Sequence, residues 1–244
     1  MEEIYGSKGK IGLIYIATSW IMEPEFNLMA PPGVITCTTR VPGEAVTKES
    51  VFKIKDRALN ATEVLAQAPL DVIALGCTSG GFIGGNDYDL KIIEEMNKKS
   101  MGIPCVTTSR AVVEAIKKMN LKKVAVFTPY LDEINEMCSS YLNENNIETT
   151  EIKGLGIQDD HEIDRVPFKR IKDEILSFKT LDECDGVFIA CTALRTLPII
   201  EELEKLINKP VISAIQATYW SCLNIIGADD EILGCGSLFS KGKV

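Results

Sequence analysis

Short β-branched and apolar runs alternate along the chain with longer segments in which apolar residues recur every three or four positions. That alternation marks repeated strand–helix units and a parallel sheet buried on both faces, so the fold class expected is α/β. The runs predict strands at Ile11–Ile16, Gly33–Thr39, Val72–Gly76 and Cys105–Thr108, and a second set at Val124–Thr128, Ile147–Gly154, Val187–Ala190 and Val211–Ser213. Between them, Val51–Gln67 carries an apolar stripe at Ile54, Ala58, Ala61 and Leu65, as a helix packed on a sheet requires. Further helices are predicted at Ala111–Met119, Leu131–Asn143, Pro167–Phe178, Pro198–Ile207 and Ile215–Ile226.

The two strand sets read as copies of each other. Asp71-Val72-Ile73-Ala74-Leu75-Gly76-Cys77-Thr78 resembles Asp185-Gly186-Val187-Phe188-Ile189-Ala190-Cys191-Thr192, Ile11–Ile14 resembles Val124–Phe127, and Pro104-Cys105-Val106 resembles Pro210-Val211-Ile212. Three matches in the same order at similar offsets indicate an internal duplication. The expected organisation is two pseudo-symmetric, Rossmann-like halves, residues 1–110 with 214–244 and residues 111–213. In open parallel sheets functional groups collect beyond the carboxyl ends of the strands. Cys77 and Cys191 both stand there, and halves facing each other about a pseudo-twofold axis would turn both thiols into one cleft.

Composition narrows the partners. With 244 residues, 45% hydrophobic and 25% charged, the chain is an ordinary folded protein rather than a disordered or fibrous one. Its 26 basic and 35 acidic residues leave a net charge of −9, which disfavours nucleic acid and anionic membranes. No apolar run reaches the length of a membrane span, and no secretory signal follows Met1, so a cytoplasmic location with free thiols is expected. No Cys-x-x-Cys pair occurs and His161 is the single histidine, so no metal site is expected. His161 lies in the acidic stretch Gln158–Glu162 and is predicted to be a solvated loop residue. Gly80–Gly85 lacks the spacing of phosphate-binding and dinucleotide loops, and is predicted to be a flexible active-site loop.

A thiol where a strand turns into a helix has its thiolate favoured by free backbone N–H groups, and the same groups can hold a carboxylate. Cys77-Thr78-Ser79-Gly80-Gly81 and Cys191-Thr192-Ala193-Leu194-Arg195-Thr196 both fit that description. An acidic chain with one histidine can therefore still bind a small acid. Cys37, Cys105, Cys138, Cys184, Cys222 and Cys235 lack this context and are assigned to core packing.

Gly12-Leu13-Ile14, Met22-Glu23-Pro24-Glu25-Phe26, Pro32-Gly33-Val34, Thr39-Arg40, Gly76-Cys77-Thr78-Ser79-Gly80, Thr128-Pro129-Tyr130 and Cys191–Thr196 occur in the order found in the maleate cis–trans isomerases and arylmalonate decarboxylases. The chain thus resembles that group of the aspartate/glutamate racemase superfamily. The resemblance implies two flavodoxin-like halves with the site between them and no metal or organic cofactor. It makes Cys77 and Cys191 the catalytic thiols and Thr78, Ser79, Tyr130 and Thr192 donors to a carboxylate or oxyanion. Ser19 and Ala193 stand where maleate isomerases carry substrate-binding asparagines, which predicts weak handling of maleate. Two cysteines favour isomerase or racemase chemistry on a small carboxylate. The alternatives are a substituted-malonate decarboxylase, an amino-acid racemase and a catalytically silent carboxylate-binding protein. Homo-oligomer formation stays open.

Overall fold

The computed structural model describes residues 5–43, 48–228 and 230–240, without the side chains of 48–51. Residues 1–4, 44–47, 229 and 241–244 of the predicted halves lie outside the described residues.

Eight strands form two parallel sheets of four. The first holds β1 (Gly9–Ile16), β2 (Val34–Val41), β3 (Val72–Gly76) and β4 (Cys105–Thr107); the second holds β5 (Lys123–Thr128), β6 (Glu148–Gly154), β7 (Gly186–Ile189) and β8 (Val211–Ser213). Strand order is β2-β1-β3-β4 in one and β6-β5-β7-β8 in the other, so the duplication read from the motifs extends to topology. The inner strands β1, β3, β5 and β7 are almost wholly buried, which is why they read as unbroken apolar runs. β6, a sheet edge with the sequence Glu-Thr-Thr-Glu-Ile-Lys-Gly, is only half-buried.

The helices are α1 (Met22–Met29), α2 (Lys48–Leu65), α3 (Thr78–Phe82), α4 (Gly85–Lys99), α5 (Thr108–Lys118), α6 (Asp132–Glu144), α7 (Asp160–Ile163), α8 (Phe168–Leu176), α9 (Ile200–Ile207) and α10 (Ala214–Ile226). Six match the predicted segments, and α1, α3, α4 and α7 are additional. The glycine-rich stretch corrects an expectation: Thr78–Phe82 is a buried helical turn and α4 starts at Gly85, so this is no flexible loop. Gly81 shows why glycine is needed. A Cβ there would lie 2.3 Å from Ser109 Oγ and 2.7 Å from Asp89 Oδ1, inside the contact of α3 with α4 and α5.

Behind α3 the fully buried Asp89 accepts hydrogen bonds from Thr107 Oγ1 (2.6 Å) and from Tyr141 Oη (2.7 Å). Tyr141 belongs to α6, so this buried carboxyl bridges the two sheets' helical layers. α10 starts at a capping box, in which Ser213 and Gln216 satisfy each other's backbone N–H groups at 3.2 Å. It then packs on β1, β3 and β4 of the first sheet as well as on α5. On its packing against β1, β3 and β4 we propose the division of the chain already expected, with 214–244 joined to 1–110 and 111–213 as the second half, α5 crossing the boundary between them.

Candidate active site

Each sheet reverses its strand order beside its first strand, and a ligand site is expected at the carboxyl ends of the strands flanking that point. In the first sheet these ends lead into Thr18-Ser19 after β1 and Cys77 after β3. In the second they lead into Pro129-Tyr130 after β5 and Cys191 after β7. The Tyr130 turn is locked by the Thr128 hydroxyl, which donates to Asn135 Oδ1 (2.5 Å) and accepts the Tyr130 N–H (3.0 Å).

Cross-ties join the two sets of strand ends. Tyr15, fully buried in β1, donates its phenolic proton to the Thr192 carbonyl (2.8 Å). The Thr192 hydroxyl donates back to the Gly76 carbonyl (3.3 Å). Glu25, buried in α1, accepts the N–H groups of Thr196 (2.8 Å) and Leu197 (3.1 Å) just beyond the second cysteine. Burial pushes the Glu25 carboxyl up to about 7 despite these donors.

Both thiols are buried, Cys77 6% and Cys191 7% exposed. Cys77 caps α3 in an ordinary extended conformation, φ −147° and ψ 111°. Its sulfur interacts with the Gly80 N–H and lies 3.8 Å from Ser79 Oγ. Cys191 instead has φ +87°, a left-handed conformation rarely held by a residue with a Cβ. Strain of that kind, of order 1–3 kcal/mol, persists only where neighbours fix the backbone, as the ties at Thr192 and Thr196 do. Cys191 Sγ accepts the Ala193 N–H (3.4 Å) and a hydrogen bond from the Tyr130 phenol. Burial raises Cys77 to about 11 and Cys191 to about 12, the second further raised by the charges of Asp160 and Cys77. Burial first, then proximity to Cys191, pushes the Tyr130 phenol well above its ordinary value.

All the candidate site residues, Ser19, Cys77, Thr78, Ser79, Tyr130, Cys191, Thr192 and Ala193, lie at these four strand ends, but counting protons separates their capacities. Tyr15 has a single hydroxyl proton, given to Thr192. Ser19 Oγ, 2.6 Å from Tyr15 Oη, must therefore be the donor in that pair and has no proton left for a ligand. The Thr192 proton is engaged with Gly76. Thr78 Oγ1, by contrast, is buried with no partner, and Ser79 Oγ has only the thiol of Cys77 beside it. Among the described residues the site hydroxyls with unengaged protons are those of Thr78 and Ser79, the two residues that follow Cys77 in the chain. Trp20, at 52% exposed, turns away to donate to Asp164 Oδ2 (2.6 Å).

Three contributors were not predicted: Tyr15, Glu25 and Asp160. Asp160 starts α7, so the acidic stretch read as a solvated loop is a helical turn; its His161 is exposed as expected, but Asp160 folds inward. Thr18 Oγ1 donates to Asp160 Oδ2 (2.7 Å), and the charge of Asp160 acts on both sulfurs. Among the described residues no group of three or more His, Cys, Asp and Glu could hold a metal ion, and no helix is long and apolar enough to cross a membrane.

Duplicated α/β halves with a buried thiol at matching strand ends define a class of two-sheet proteins whose site lies between the sheets. The chain belongs to the arylmalonate decarboxylase family, whose model matches residues 13–239. It is 27% identical over 199 residues to the arylmalonate decarboxylase of Bordetella bronchiseptica, covering 81% of this chain and 82% of that one. It is 25% identical over 244 residues to the maleate isomerase of Geobacillus stearothermophilus, covering 95% and 97%. Among solved structures, the maleate isomerase Iso from Pseudomonas putida S16 superposes with a TM-score of 0.90 at 26% identity, over 96% of this chain and 98% of that one.

Proposed function

We propose that Cys77 and Cys191 are the catalytic residues of a cofactor-independent isomerase acting on a small carboxylic acid, with maleate isomerase-like cis–trans isomerisation of an alkenoic acid as its specific form. The observation that carries this reading is the pair of buried thiols at equivalent strand ends, near enough for the charge of Cys77 to raise Cys191. The presence of both thiols favours isomerisation over decarboxylation, and the maleate isomerase relative matches along nearly the whole chain.

In this mechanism Thr78 and Ser79 hold the carboxylate beside Cys77. Cys77 loses its proton to solvent and its thiolate adds to one alkene carbon, while the π electrons move onto the neighbouring carbon and its carboxylate. Cys191 gives its proton to that carbon. The former double bond, now single, rotates; Cys191 then takes the proton back, the double bond re-forms and the C–S bond breaks to release the Cys77 thiolate. Tyr130 stabilises Cys191 whenever it is charged. Ser19 positions Tyr15, and Thr192 and Ala193 present backbone to the ligand.

Ionising Cys77 at neutral pH from a value of about 11 costs roughly 5 kcal/mol. A turnover near 10 s⁻¹ corresponds to a total barrier of about 16 kcal/mol, which leaves room for that step. The test is proton NMR in deuterium oxide with maleate, substituted maleates, arylmalonates and amino acids. Conversion of a cis-alkenoic acid to its trans isomer is the expected result. Carbon dioxide release from an arylmalonate, or α-deuteration of an amino acid, with every alkene untouched would overturn it.

A further inference from the structure

The site carries one ionisable group for which the two-thiol mechanism has no use. Asp160 comes from the second half, and its carboxylate is bonded to Thr18, the residue before Ser19 at the end of β1. It is therefore part of the cleft wall at the strand ends that hold the thiols. Among the described residues its only hydrogen-bonding side chain is Thr18, which engages Oδ2. Among the described residues no lysine or arginine pairs with it. Its titratable neighbours are Asp159 and His161 in its own segment, Cys191 in its own half and Cys77 in the other, and burial raises its carboxyl above the ordinary value. The nearest arginine to this strand end, Arg40, is ion-paired with Glu23 and donates to the Ser19 carbonyl (2.6 Å).

The cleft is therefore polarised. Hydroxyl groups with protons to give belong to Thr78 and Ser79, which follow Cys77, and Ser79 Oγ lies 3.8 Å from its sulfur. Elsewhere the protons of Ser19 and Thr192 are already engaged, and Asp160 adds a carboxylate, which only accepts hydrogen bonds when ionised. A ligand with a carboxylate at each end would place one of them against Asp160, where like charges at short range repel strongly in a partly desolvated site. A ligand with a carboxylate at one end and an N–H donor at the other meets complementary groups at both.

We propose that Asp160 is a specificity-determining residue, selecting monocarboxylates whose far end carries an amide or ammonium group and discriminating against dicarboxylates. The inference rests on the carboxylate reading of the site. It makes a half-amide of a cis-alkenedioic acid a better substrate than the diacid itself.

Binding of saturated analogues tests this without turnover. Succinamate and succinate are titrated calorimetrically into the full-length wild-type protein and into Asp160→Asn and Asp160→Ser, with circular dichroism to verify folding. Wild type is expected to bind succinamate at least about tenfold more tightly than succinate. In Asp160→Asn succinate binding is expected to strengthen by about tenfold or more, erasing the preference. Asp160→Glu, which keeps the charge, is expected to keep the preference. A wild-type protein that binds succinate as well as succinamate, or variants that weaken both ligands equally, would overturn the role of Asp160. Failure of every folded protein to bind either ligand would overturn the carboxylate reading itself, and this inference with it.

Discussion

The two cysteine turns occupy equivalent places in duplicated halves, yet their backbones differ. Cys77 sits in relaxed extended geometry and leads directly into a buried helix, whereas Cys191 is held at φ +87° by hydrogen bonds arriving from the other half. Cys77 is flanked by two hydroxyls with free protons; Cys191 is flanked by hydroxyls already engaged and by the phenol of Tyr130. Duplication supplied two like groups, and their surroundings then separated them. In the mechanism we propose, one turn receives the anion and the other holds a sulfur at a fixed point with a proton donor behind it.

The largest expected effect tests whether the division of labour is real. Cys77→Ala is expected to lose turnover by about a thousandfold or more, since no water or hydroxyl replaces a thiolate at carbon. Cys191→Ser is expected to keep a measurable trace, because a hydroxyl still donates a proton. Equal loss in both, read by single-turnover kinetics on the true substrate, would make the thiols equivalent.

Next comes the brace of the second turn. Glu25 is raised from 4.5 to about 7 in the fold, so the native state binds its proton more tightly than the unfolded chain does. Stability is therefore greatest below pH 4.5 as far as this group is concerned and falls as pH rises toward 7, by up to about 3 kcal/mol. Glu25→Gln keeps the acceptor for Thr196 and Leu197 and is expected to remove that dependence. Urea denaturation at pH 5, 6, 7 and 8 measures it, and an unchanged pH slope in the variant would assign the titration elsewhere.

Backbone strain gives a smaller effect with a sign reversal. At position 191 glycine is expected to be more stable than alanine by about 1–2 kcal/mol, because alanine resists positive φ. At position 77 alanine is expected to be the more stable by about 0.5–1 kcal/mol. Thermal melts of Cys191→Gly, Cys191→Ala, Cys77→Gly and Cys77→Ala decide it; the same order at both sites would refute the contrast. The smallest effect concerns reactivity. Both thiols are raised by burial, and Cys191 is raised further by two neighbouring charges, so Cys77 is expected to be alkylated faster than Cys191. Mass-spectrometric counting of iodoacetamide adducts over time measures the ratio.

How far these features could be read from sequence depends on whether their causes are local. Strands β1, β3, β5 and β7 are legible because burial on both faces leaves uninterrupted apolar runs. α4 was hidden because a glycine stretch precedes it and the polar Asp89 occupies its buried face beside Ile92 and Met96. α1 is only eight residues long and contains Pro24, tolerated in a first helical turn where its missing N–H costs little, so its apolar periodicity is too short to stand out. In the site, Cys77, Thr78, Cys191 and Thr192 stood out through the internal repeat, and Ser79 through its place in the turn after Cys77. Asp160 did not, since its partner Thr18 lies 142 positions away and its own neighbours are solvent-facing acids. Tyr15 looked like any core residue of a central strand. The direction of its proton, which disarms Ser19 as a donor, follows only from three-dimensional neighbours.

The ties from Tyr15 to Thr192, from Thr192 to Gly76 and from Glu25 to Thr196 and Leu197 have a consequence for cooperativity. Each sheet has its own complete strand order, which would ordinarily allow the halves to melt one after the other. Here every tie ends at a backbone group that would lose its partner if one half opened alone. Heat and denaturant are therefore expected to unfold the molecule in a single step, with the thiols becoming accessible to alkylation at the same midpoint as the helices are lost.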